Sequence, residues 1–284
     1  MISLKRYIRG RKDINRIRKA DVIFVSYAKA GRTWVRTMIS HLFHQRYGIP
    51  ERELLEFDNF HRHNPAIPVI FFAATHYVWE ASHLPDGQTE FDGRRVIFLK
   101  RDPRDVVVSY YFHARNRVNP EKLAKKQLPT NVHEMDLMDF VRDPRCGIRH
   151  IIDYMNRWEQ VLKRTKDHLL IGFEDTRADP APTLERIGKF LGHDFTAEEI
   201  QNAVDFASFE SLKKKEKENF FGNKRLSPRD AANPSSFKVR RGKVSGFKDY
   251  FDGDQIEFLD RMIREELDPI FGYRSEPDSK VQAT

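Results

Sequence analysis

The chain has 284 residues, enough for one large domain or two small ones with a full hydrophobic core. Its 39% hydrophobic and 32% charged residues are ordinary for a soluble globular protein, and the single cysteine, Cys146, excludes an internal disulfide and suits a reducing compartment. No apolar run approaches the roughly 18 residues of a spanning helix, and the N-terminus lacks the apolar stretch and cleavage site of a secretory signal, so a cytoplasmic protein is expected.

The formal net charge of +8 is unevenly spread. Residues 1–19 hold eight basic residues against Asp13 alone and so contribute +7. The plain expectation is a solvated basic arm. The sharper one is contact with an anionic membrane surface, because Ile2, Leu4, Tyr7, Ile8, Ile14 and Ile17 interleave with the charges. Nucleic acid is not expected as a partner, since no zinc finger or other reader motif accompanies the charge.

Residues 22–25 form a continuous apolar run, as a strand buried on both faces should. Trp34, Met38 and Leu42 then recur every four residues, with Val35, Ile39 and Phe43 beside them, which predicts a helix with a broad apolar stripe. Residues 69–74 predict a second strand and 96–99 a third. The third runs into a helix that Asp102 can cap, with Pro103 in its first position. Residues 169–173 predict a fourth strand, and 183–191 and 197–206 two helices. Residues 115–147 and 213–233 read as long polar excursions that could serve as lids. Strands alternating with helices imply an α/β fold whose central, mainly parallel sheet is flanked by helices, with the ligand beyond the strand C-termini. With no linker or repeat visible, the expected division is a basic arm (1–20), a single domain (21–275) and a polar tail (276–284).

The turn in "VIFVSYAKAGRTW", residues 22–34, joins a buried strand to a helix N-terminus. Backbone N–H groups and the helix dipole converge there, so an anion is the natural occupant. Gly31 allows close approach, Thr33 can donate a hydroxyl bond and Lys29 supplies a full charge. A Walker A loop needs G-x-x-x-x-G-K-[ST]. Here Ser26 stands where its first glycine belongs and Arg32 replaces its lysine. None of the apolar runs 22–25, 69–74 and 96–99 ends directly in an acidic residue to hold magnesium. The loop therefore suits ATP with metal poorly, and no metal site is expected; a P-loop-type small-molecule kinase is the alternative.

"SYAKAGRTW" resembles the "TYPKSGTTW" loop of sulfotransferases that use 3′-phosphoadenosine 5′-phosphosulfate (PAPS) and release PAP. "KRDPRDVVVSYY" resembles their "RNxxDVxVSYY" element, and "RRGKVSGFKDYF" their C-terminal "RKGxxGDWKxxF" element. The three lie in family order between Ser26 and Phe251. The resemblance implies that Lys29, Ala30, Gly31, Arg32 and Thr33 form the phosphosulfate loop, with Lys29 stabilising the leaving phosphate. It implies that Arg101, Ser109, Arg240, Arg241 and Gly242 hold the 3′-phosphate, which suits the planar arginine fork. Trp34 and Phe209 would contact the adenine. His76, in "FFAATHYVWE", would be the general base toward an acceptor alcohol. His61, His63 and His113 are weaker choices, and Glu80 could share the role.

The departures are as informative. Ala28, Ala30 and Arg32 replace Pro, Ser and Thr of the family loop. The lysine expected before the Thr-His pair is Ala74, an absence for which Arg32 could compensate. Phe173 stands where an adenine-contacting tyrosine often sits. The dimer motif K-x-x-x-T-V-x-x-x-E would run from Lys248 to Glu257, but Asp252 and Gly253 fill its centre, so that dimer mode is not expected. Segments 57–68, 76–92, 112–150 and 215–237 would line the acceptor side. Their aromatic residues suit an apolar or glycosyl alcohol, and the basic arm a lipid or anionic envelope substrate.

Overall fold

The computed structural model describes residues 4–56, 60–73, 88–126, 128–223, 225–230, 232–233 and 236–274. Four parallel strands form one sheet in the order β2-β1-β3-β4: β1 (Val22–Ser26), β2 (Ile70–Ala73), β3 (Arg95–Lys100) and β4 (Asp167–Gly172). Phe24 pairs with Phe72 on one side and Ile97 on the other, which fixes the register at the sheet centre. All five residues of β1 are buried, as its unbroken apolar run requires. The chain leaves β1 toward β2 on one side and β3 toward β4 on the other. The loops after β1 and β3 therefore diverge at a topological switch point, where parallel sheets open a crevice.

Two compact units are formed, residues 1–101 with 161–242, and 102–160 with 243–284. The first contains the sheet. Its basic N-terminal segment is a helix, α1 (Leu4–Lys19), with Ile14 and Ile17 fully buried. The segment expected as an arm therefore packs along its C-terminal half, and Arg18 forks onto Glu90 at 3.1 and 3.2 Å. Helix α2 (Arg32–Tyr47) lays Val35, Met38, Ile39, Leu42 and Phe43 into the core with Phe24 and Phe72. Each such side chain contributes about 1.5–3 kcal/mol by leaving water. Gly48, at φ 68°, stops this helix, its N–H bonding the His44 carbonyl.

The second unit opens with α3 (Pro103–Arg117), capped by Asp102, whose side chain accepts the Arg104 N–H at 2.9 Å. Arg104 is ion-paired to both Asp102 and Asp260. The Asp105 carboxylate accepts the Phe247 N–H at 2.9 Å. Trp158, Phe140, Phe247 and Phe271 are fully buried here. The segment 115–147, read as irregular, contains α4 (Leu137–Arg142), and Leu123, Leu128, Val132 and Phe140 are buried. Its apolar residues are too sparse to show a period, yet enough to pack. Helix α5 (Ile148–Leu162) begins in this unit and leads back to the first. Asp252, with a capping box to Gln255, starts the C-terminal helix Gly253–Glu266. The Asp-Gly pair that interrupts the dimer motif is thus a helix cap.

In the first unit, α6 (Phe173–Ala178), α7 (Pro180–Phe190), α8 (Ala197–Phe206) and α9 (Phe209–Lys217) follow β4. Two expectations change. Phe173 belongs to α6 rather than to the fourth strand, and residues 213–217 belong to α9 rather than to an excursion.

Candidate active site

The loop between β1 and α2 is bent by two left-handed residues, Lys29 at φ 72° and Gly31 at φ 100°. A lysine in that region is strained and must be held by its surroundings. The hold comes from β3. Arg101, the residue after that strand, donates from Nη1 to the Lys29 carbonyl at 3.1 Å. The two loops of the switch point are thereby tied to one another. Ala30 is buried, with its N–H toward the Tyr27 carbonyl at 3.4 Å. Gly31, which has no side chain to offer, is the N-cap of α2. The Trp34 and Val35 N–H groups turn back to the Gly31 carbonyl at 2.9 and 3.2 Å, and the helix dipole favours an anion at this end.

Phe173, noted in the sequence only as standing where an adenine-contacting tyrosine often sits, has a packing role that the sequence did not show. It is buried at the start of α6, and a Cβ added to Gly31 would lie 2.6 Å from its Cδ2. The Arg101 guanidinium stacks 4.0 Å from the Phe173 ring centroid. Trp34 meets the same ring edge-on at 5.7 Å and 72°. One phenyl ring therefore supports the loop glycine, the arginine and the tryptophan together. Trp34 also donates from Nε1 to the Ala207 carbonyl at 2.9 Å, two residues before Phe209. The signal available in sequence was an aromatic residue just after an apolar run, which strand and helix share.

Arg32 turns back toward the sheet. Its Nη1 donates to Ser26 O at 3.1 Å, Ser26 Oγ at 3.2 Å and the Ala73 carbonyl. The guanidinium thus spans the C-terminal ends of β1 and β2, one residue short of Ala74. Thr33 is the second residue of α2, and its carbonyl accepts the Thr37 hydroxyl at 2.8 Å.

Arg240, Arg241 and Gly242 form an irregular strap. Gly242 has φ 60°, and a Cβ there would lie 3.0 Å from the Phe209 ring. The Gly242 carbonyl accepts from Arg177 Nε at 3.1 Å. Phe209 opens α9, whose N-cap is Ser208. Lys29 to Trp34 with Arg101 form one group of the expected residues, and Phe209 with Gly242 a second, in the same unit. Ser109 is half-buried on α3 of the other unit. His76, Ala74 and Glu80 lie outside the described residues. His61 bonds the Ile67 carbonyl at 2.7 Å, His63 pairs with Glu53 at 3.1 Å and His113 stacks on Tyr110.

Among the described residues, His41, His44 and Glu51 bring potential metal-ligand atoms within 4.8 Å of one another. His44 Nδ1 lies 2.5 Å from the Ile49 carbonyl, and His41 Nδ1 lies 3.2 Å from Gln45 Nε2. Burial, with His44 and Lys215 adding to it, lowers the His41 pKa to about 4, so the ring stays neutral near pH 7. Lys215 projects its ammonium over Phe206, the ring on which His41 stacks, which disfavours a further cation.

The sulfotransferase domain family matches residues 19–271. Flavonol 3-sulfotransferase from Flaveria bidentis is 27% identical over 273 residues, covering 87% of this chain and 81% of its own. Cytosolic sulfotransferase 16 from Arabidopsis thaliana is 26% identical over 274 residues, covering 90% and 78%. Mouse sulfotransferase SULT7A1, solved in complex with PAP, has a TM-score of 0.57 at 20% identity, covering 87% of this chain and 84% of its own, a likeness of fold.

Proposed function

The chain belongs to the sulfotransferase family, and on that premise we propose that it transfers a sulfuryl group from PAPS to an acceptor alcohol. The observation that carries the reading is the tie between the two switch-point loops. Arg101 fixes the carbonyl of a left-handed lysine beside the N-terminus of α2, which begins at a glycine. That donor set fits the two anionic ends of PAPS. Bound there, PAPS supplies a sulfuryl group already activated by its link to phosphate.

Lys29, Gly31, Arg32 and Thr33 bind the 5′ end through charge, N–H groups and hydroxyl. Lys29 stabilises the charge that grows on the departing phosphate, the electrostatic part of catalysis. Arg32 adds a cation at the ends of β1 and β2, in place of the lysine that Ala74 lacks. Arg101, Arg240 and Arg241 hold the 3′-phosphate, with Gly242 allowing close approach. Trp34 and Phe209 bound the adenine. His76 takes the acceptor proton as the hydroxyl attacks sulfur.

The acceptor is an alcohol on an apolar or glycosyl body. The enzyme works in the cytoplasm, as the names of its relatives indicate for them. Among the described residues, no helix is long and apolar enough to cross a membrane. Peripheral contact with an anionic membrane through α1 belongs to the same proposal. Arg9, Arg11, Lys12, Arg16, Arg18 and Lys19 are exposed, as is Ile8 at 45%. The enzyme does not use the family dimer mode.

Calorimetric titration of PAP and of ADP, without metal, tests the proposal. Loss of charge-assisted bonds to the 3′-phosphate should weaken ADP by about 10- to 100-fold relative to PAP. Equal binding, or a preference for ADP, would return the kinase reading.

A further inference from the structure

Glu216 has no part in the reading above. It lies in the run "KKKEKE", residues 213–218, where solvent exposure is the natural expectation for a charge, yet it is fully buried. A buried carboxylate is tolerated only when its oxygens are satisfied. Glu216 Oε1 accepts the Lys238 N–H at 2.6 Å, and Oε2 accepts the Val239 N–H at 2.8 Å. These are the residues immediately before Arg240 and Arg241.

Helix α9 meets the strap at a second point. Phe209, its first residue, packs against Gly242, the residue just after the two arginines. The contacts at Phe209 and Glu216 are separated by seven residues, about 10 Å along a helix. Two further bonds fasten the strap: Lys238 Nζ donates to the Arg225 carbonyl at 3.0 Å, and Arg177 Nε to the Gly242 carbonyl at 3.1 Å. The pair of arginines is thus suspended between two grips of one helix. Short, irregular segments carrying two long cationic side chains lose much conformational freedom on binding, and a backbone already fixed reduces that loss.

We propose that Glu216 is a positioning residue: by fixing the Lys238 and Val239 backbone it holds Arg240 and Arg241 ready for a 3′-phosphate and sets the preference for 3′-phosphorylated nucleotides. The inference rests on the assignment of Arg240 and Arg241 to the 3′-phosphate under Proposed function. A carboxylate is needed because both acceptors are used; an amide offers one oxygen and turns its NH₂ group toward the other N–H.

The test compares PAP with 5′-AMP, which lacks only the 3′-phosphate, by calorimetry on the full chain and on Glu216→Gln. The wild type should prefer PAP, and Glu216→Gln should reduce that preference about tenfold while changing 5′-AMP affinity less than about twofold. An unchanged preference overturns the proposal, as does equal weakening of both ligands, the mark of a purely structural role. A wild type with no preference for PAP instead removes the 3′-phosphate assignment itself. Should Glu216→Gln fail to fold, native hydrogen exchange on the wild type decides. The Lys238 and Val239 amides should be protected without nucleotide and gain protection with PAP but not with 5′-AMP. Exchange at the rate of an open loop overturns the proposal.

Discussion

Substituting Gly31 by alanine places a methyl group where the Phe173 ring already is. The added Cβ would lie 2.6 Å from Cδ2 and 3.0 Å from Cε2, far inside carbon–carbon contact. The ring has little freedom to retreat, because the Arg101 guanidinium stacks 4.0 Å from its centroid and Trp34 closes on its edge. Overpacking of this kind costs about 1–3 kcal/mol. The backbone, at φ 100°, adds about 1–2 kcal/mol for any residue with a Cβ. Together these give about 2–5 kcal/mol, divided between global stability and the loop conformation that accepts the anion. If the loop takes it all, PAP affinity falls by a factor of about 30 to several thousand. Calorimetric PAP binding and a thermal melt on Gly31→Ala measure the two shares. The second variant, Phe173→Leu, in the Gly31→Ala background should recover the steric share and leave the backbone share, a coupling of about 1–3 kcal/mol. Gly31→Ala with PAP affinity within about threefold of wild type and an unchanged Tm would refute the assignment of Phe173 as the ring that shapes the loop.

Arg32→Thr should destabilise the protein by about 1–3 kcal/mol, since Ser26 and Ala73 carbonyls lose a donor; turnover should also fall, on the order of a hundredfold. Unaltered turnover would show that Arg32 only braces the strand ends. His76→Ala should lower kcat by a factor between about a hundred and ten thousand while leaving PAP affinity unchanged; a parallel loss of PAP binding would contradict its role as base. Burial raises the Asp13 pKa above its ordinary 3.8, against the opposing pull of Arg9 and Arg16. The folded state therefore binds this proton more tightly than the unfolded one, and ionised Asp13 costs stability as pH rises through the folded value. Asp13→Asn, which keeps an oxygen for Arg16, should raise Tm at about pH 7 and lose that gain in acid; a gain that persists at about pH 3 would exclude the titration as its cause.

What was legible in the sequence follows from period and punctuation. The apolar run of β1, the stripe of α2 and the Asp102–Pro103 cap are local signals, and each element formed where they predict. The tight bend between β1 and α2 was legible because a glycine between a buried strand and a helix has few structural uses, and Gly31 takes φ 100° there. Phe173 was misread because an aromatic residue at the end of an apolar run extends a strand as naturally as it begins a helix. Its role depends on Gly31 and Arg101, more than seventy positions away in the chain. Glu216 was hidden for a similar reason. Among five charged neighbours it carries no mark of burial, and the distant N–H groups of Lys238 and Val239 help make burial tolerable. The N-terminal segment read as an arm because charge dominates its composition, whereas Ile14 and Ile17 decide its packing.

If Lys29 and its loop serve sulfuryl transfer from PAPS without a metal ion, PAP release must depend on the lysine and on an acceptor but not on metal. The most direct measurement is release of PAP from PAPS, with chelator present, across a panel of apolar and glycosyl alcohols, for the wild type and Lys29→Ala. PAP release should be acceptor-dependent, withstand chelator and fall by about a hundredfold or more in Lys29→Ala. Release that needs magnesium, or that Lys29→Ala leaves unchanged, would contradict this role of the loop.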